Sequence, residues 1–70
     1  VLKVAQENYR RQLQIADAQI AQATTELAVA QEQYDKDKLL VEQGALPRRQ
    51  MLESQAKLER AKAELARAKS

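Results

Sequence analysis

The stretch Glu42-Gln43-Gly44-Ala45-Leu46-Pro47 holds the only glycine and the only proline of the 70-residue chain. Each of the two punctuates a helix in its own direction. Gly44 suits the left-handed position just past a helix C-terminus, where a side chain would clash. Pro47 suits the first position of a following helix, because its missing N–H breaks no bond there and its φ is already helical. One helix therefore closes and another opens three residues later, and so short a connection makes them antiparallel neighbours. The predicted fold is all-α, a two-helix antiparallel coiled-coil hairpin. Helix 1 is expected over about 1–43, the turn over about 43–47 and a shorter helix 2 over about 47–70.

Outward from the turn, both flanks carry a heptad pattern. Before it, one column reads Leu13, Ile20, Leu27, Tyr34 and Val41, and a second reads Leu2, Tyr9, Ala16, Ala23 and Ala30, ending on Asp37. After it, Met51, Leu58 and Leu65 form one column, with Ser54, Ala61 and Ala68 forming the other. Alternating spacings of three and four mark a helix lying along a partner helix.

The two patterns interlock. Folding about Gly44 requires facing positions to sum to about 88, twice the turn position. Val41 then faces Pro47, Asp37 faces Met51 and Tyr34 faces Ser54; deeper in, Ala30 faces Leu58, Leu27 faces Ala61, Ala23 faces Leu65 and Ile20 faces Ala68. From Ala30/Leu58 inward a large residue meets an alanine at each layer, which fills the gap between close-packed helices without voids. On this register residues 1–17 have no partner in the chain, although Leu2, Tyr9 and Leu13 continue the seam. At 1.5 Å per residue, helix 1 runs ~60–65 Å and helix 2 only ~35 Å. The chain starts at Val1 without a signal peptide and ends at Ala66-Arg67-Ala68-Lys69-Ser70 without a stop signal. It is therefore expected to be a piece of a larger protein whose second helix continues past Ser70.

Composition limits the chemistry. Thirteen alanines and ten glutamines, against two tyrosines and no Phe or Trp, favour helix over strand and leave little material for a large core. No apolar run approaches the ~20 residues of a membrane span. With no His and no Cys, the common general base, the thiol nucleophile and the soft metal ligands are missing. One glycine cannot make a phosphate loop. No enzymatic activity, cofactor or metal is expected. Lys36, Lys38, Arg48 and Arg49 cluster near the turn but are interleaved with Asp35, Asp37 and Glu42, so no single-sign stripe for nucleic acid forms. Glu7/Arg11, Glu32/Lys36 and Glu53/Lys57 have the spacing of solvated ion pairs along a helix. Val4, Ile15 and Val29 lie off the seam, either as scattered exposed apolar residues or as a face for lateral neighbours.

The stretch Tyr34 to Ala56, centred on Leu39-Leu40-Val41-Glu42-Gln43-Gly44-Ala45-Leu46-Pro47, resembles the hairpin tip of the periplasmic adaptor proteins, or membrane fusion proteins, of the HlyD family. In that family a helix ends in a pattern like Leu-x-x-x-Gly-Ala-Ile-Ser and the next helix starts at the Ser. Leu40, Gly44, Ala45, Leu46 and Pro47 occupy those places here, within flanking heptads rich in Ala, Gln, Glu and Lys. The likeness covers nearly the whole chain, but only about a dozen tip residues are specific to it.

The resemblance implies a periplasmic segment of a protein anchored to the inner membrane. Such a protein works in a tripartite efflux pump or a type I secretion system and assembles as a ring, usually a hexamer. It bridges an inner-membrane transporter, contacted through other domains, to a TolC-like outer-membrane channel met by the hairpin tips. Many members share an Arg-x3-Leu-x6-Ser docking motif. By position Lys36 takes the Arg place, Leu40 matches the Leu and Pro47 takes the Ser place. Lys keeps the charge but loses the bidentate fork, and Pro has no hydroxyl to cap or donate. The tip residues implied are Lys36, Leu40, Gly44, Ala45, Leu46, Pro47 and Arg48, with Leu46 open to a second role as a staple packed back on the helix. Two other readings of the residues stay open: an unrelated coiled-coil hairpin used as spacer or oligomerisation arm, and a nucleic-acid-binding arm.

Overall fold

A computed structural model describes Leu2 to Ser70, so the part of the helix 1 expectation that falls on Val1 lies outside the described residues. Two helices follow one another, α1 over Leu2–Glu42 and α2 over Arg48–Lys69, with no strand among the described residues. The first is the longer, 41 residues against 22. They form a rod 64 × 13 × 11 Å, about the length α1 alone gives at ~1.5 Å per residue.

Main-chain bonds close the turn. Gly44 has φ +72°, its N–H donates to the Val41 carbonyl at 3.0 Å, and the Ala45 N–H donates to the Leu40 carbonyl at 2.8 Å. This pair of bonds is a Schellman cap, which satisfies two carbonyls that the end of α1 leaves without intrahelical partners. A Cβ built on Gly44 meets nothing within 4 Å, so conformation rather than space calls for glycine. Pro47 departs from expectation by one position. It lies outside α2 as its N-cap, with φ −63° and ψ 139°, and its carbonyl accepts from the Gln50 N–H at 3.0 Å. The proline ring fixes φ alone, a value that serves the cap and the first helical residue equally; the extended ψ makes Pro47 a cap. It gives α2 no side-chain capping bond.

The core is one seam. Ile20, Leu27, Ala30, Tyr34 and Val41 of α1 are half-buried and Ala23 is buried. Across from them Met51, Leu65 and Ala68 of α2 are half-buried, while Ser54, Leu58 and Ala61 are buried. Leu58 is the deepest, at 3% exposure. Two helices share a single interface, so most seam side chains keep one edge in water. Leu2, Tyr9 and Leu13 extend the same columns beyond the reach of α2 and stay exposed.

Two pairings differ from the sequence reading. Ser54, placed there against Tyr34, gives its hydroxyl hydrogen bond to Oδ2 of Asp37, which had been set opposite Met51. Helical side chains lean toward their own N-terminus. In an antiparallel pair Ser54 thus leans toward the tip and Asp37 away from it, and the two converge across one turn. The ion pairs also differ. Those within 4.0 Å among the described residues are Arg49–Glu53 at 3.7 Å and Glu59–Lys62 at 3.6 Å, not the three pairs expected. Both are highly exposed, where competing rotamers cost almost nothing, so spacing alone does not select a partner. Glutamines do part of the expected work: Gln22, Gln31 and Gln33 donate to Glu26, Asp35 and Asp37 four residues on, at 3.3, 3.0 and 3.0 Å.

Candidate functional site: the hairpin tip

At the tip Lys36, Gly44, Ala45, Pro47 and Arg48 are exposed, whereas Leu40 and Leu46 are half-buried. Leu46 thus shares its surface between the hairpin and solvent. The most exposed large apolar side chains near the turn are two that the tip pattern leaves out, Leu39 at 53% and Leu52 at 48%. Leu52 directly follows the seam residue Met51 and Leu39 lies two before the seam residue Val41, so both turn off the interface. Heptad bookkeeping could have found both as apolar residues outside the columns.

Charge at the tip runs against the helix dipoles. The last turn of α1 has no basic residue, and the first turn of α2 has no acidic one. Arg48 and Arg49 instead stand at the N-terminus of α2, where backbone N–H groups already present partial positive charge. Arg49 is balanced by Glu53. Among the described residues neither Lys36 nor Arg48 forms an ion pair. The tip therefore offers cationic groups and a few apolar side chains on a backbone path held by main-chain bonds.

One polar cluster lies inside the seam just behind the tip, and the sequence reading missed it. Asp37 and Ser54 are each 7% exposed. Gln33 Nε2 donates to Asp37 Oδ1 at 3.0 Å and Ser54 Oγ donates to Oδ2, so both carboxyl oxygens are engaged. No buried side-chain polar atom among the described residues lacks a partner. The signal was present: Asp37 stands in an apolar heptad column. No group of three or more His, Cys, Asp or Glu among the described residues could hold a metal ion. No described helix is long and apolar enough to cross a membrane. No family model matches the chain, and neither the curated proteins nor the solved structures yield a match.

Proposed function

We propose that the hairpin is the periplasmic arm of an adaptor in a tripartite efflux pump or type I secretion system, docking by its tip onto a TolC-like outer-membrane channel. The parent protein is then anchored to the inner membrane and contacts its transporter through other domains. The observation that carries this reading is the tip itself. Its sequence resembles the HlyD-family hairpin end, and it displays Lys36, Arg48 and partly exposed Leu40 and Leu46 on a turn that needs none of those side chains to close. Cations at the start of α2 cost stability locally, and a local cost of that kind is commonly kept for a binding surface.

Ring formation by copies of the parent is part of the same reading. Val4, Ile15 and Val29 are 59%, 58% and 62% exposed, off the seam. In α2 seven basic residues stand against three acidic ones, while α1 has five against seven. Copies standing side by side, α2 of one against α1 of the next, bring opposite charge together.

The test is export or drug resistance in cells carrying the full-length protein, with circular dichroism as a folding control. Leu46→Asp combined with Lys36→Glu changes the docking surface without entering the seam, so helicity should persist while transport fails. Full transport by that double variant would remove tip docking and leave a plain spacer.

A further inference from the structure

Most of the seam is degenerate under a slide of one heptad. Ala23 and Ala30 recur seven residues apart on α1, as do Ala61 and Ala68 on α2. Moving one helix past the other by seven residues, ~10.5 Å, returns alanines and leucines to equivalent layers. The tip restrains such a slide only on one side. The Schellman bonds fix the end of α1, but no side chain caps α2, whose first turn is held at its start only by the Gln50 N–H to Pro47 carbonyl bond.

A single layer cannot be exchanged for its neighbours. Gln33, four residues before Asp37 on the same helix, holds Oδ1 and so turns Oδ2 across the seam, where the Ser54 hydroxyl meets it. Both members of this cross-helix pair are buried. After a one-heptad slide Asp37 would confront Ala61 or Pro47, neither of which can donate, and Oδ2 would lose its partner across the seam. We infer that the Asp37–Ser54 bond sets the register of the hairpin, with Gln33 orienting the carboxyl group for it. This holds whatever the tip docks to. The bond selects among packings that the apolar layers alone would rank nearly equal, which is the use that isolated buried polar residues have in coiled coils.

The absence of cysteine from the chain makes register directly measurable. Ala23 and Ala68 line one groove beside the seam and Ala30 and Ala61 line another. Ala23→Cys/Ala68→Cys and Ala30→Cys/Ala61→Cys therefore report the observed register. Ala30→Cys/Ala68→Cys and Ala23→Cys/Ala61→Cys report the two one-heptad slides with the same residue change. Intrachain disulfide is read as the oxidised monomer on a non-reducing gel at low protein concentration. In the parent background the slid pairs should cross-link roughly tenfold less or lower, the ratio that one unsatisfied buried group enforces. In Asp37→Leu/Ser54→Ala the yield of Ala30→Cys/Ala68→Cys, the slide that the Schellman bonds leave open, should rise toward that of the native pairs, while Asp37→Asn, which keeps an acceptor for Ser54, should keep the native pattern. Native-only cross-linking in Asp37→Leu/Ser54→Ala would overturn the inference and assign register to the turn alone. Equal slippage in Asp37→Asn would overturn it as well. Should the double variant lose its helicity, Ser54→Ala alone decides: slid pairs rising supports the inference, and slid pairs unchanged from the parent overturns it.

Discussion

From Leu2 to Gln19, α1 places Leu2, Tyr9 and Leu13 in its two heptad columns; from Ile20 to Glu42 the same columns hold Ile20, Leu27 and Val41. The first three are 76%, 63% and 47% exposed, while the second three are half-buried against α2. Residue type and periodicity are alike in the two regions, and both are helical. What differs is the partner. A heptad column records the capacity to pack, and burial follows only where a second helix supplies the facing layer. Helix formation itself tolerates the lack of one: residues 2–19 are helical although α2 does not reach them.

The sharpest way to break the comparison is to place the same charge in both regions. Leu58→Asp puts a carboxyl into the deepest point of the seam, and the loss should be on the order of 3–5 kcal/mol, enough to separate the helices. Leu13→Asp, in the uncovered stretch, should change stability by less than about 0.5 kcal/mol. Thermal denaturation followed by circular dichroism measures both, and equal losses would mean that residues 2–19 are covered in solution. Self-association would do that, and helicity rising with chain concentration would reveal it.

Ser54→Ala comes next. It leaves a buried Asp37 oxygen short of a donor and should cost about 1–3 kcal/mol, more than removing one hydroxyl from an exposed site. Urea titration of the variant against its parent gives the difference. Gly44→Val tests the tip, which both helices share. With open space around the new side chain, the penalty is conformational only, about 1–2 kcal/mol for holding an L-residue at positive φ. Gly44→Asn should recover most of it, since asparagine tolerates that conformation. If the two variants melt together, the turn has moved to a different backbone path.

These sites also divide what could be read from sequence from what could not. Gly44 and Pro47 announce the turn because each constrains the backbone through its own covalent structure. The seam columns were legible because apolar spacing follows directly from helix geometry. Pro47 fell one position outside α2 because ψ, unlike φ, is not written into the ring. The Asp37–Ser54 bond was missed for a deeper reason: it depends on how side chains lean on two helices at once, so a charge in one column looked like that column's end. At the tip, Leu39 and Leu52 proved more exposed than Leu40 and Leu46 because exposure depends on the rotation of each helix about its axis, which a motif match does not encode.

The Schellman cap has a consequence for how such a tip can vary. Its two bonds run from the Gly44 and Ala45 N–H groups to the Val41 and Leu40 carbonyls, and none involves a side chain. Gln43, Ala45 and Leu46 can therefore be rewritten with little effect on the path of the chain, so long as glycine stays at 44. The path of the turn is thus carried by backbone atoms, and the side chains it displays can change without disturbing those bonds. A lineage could exchange the surface it offers to a partner by single substitutions, each retaining a closed hairpin.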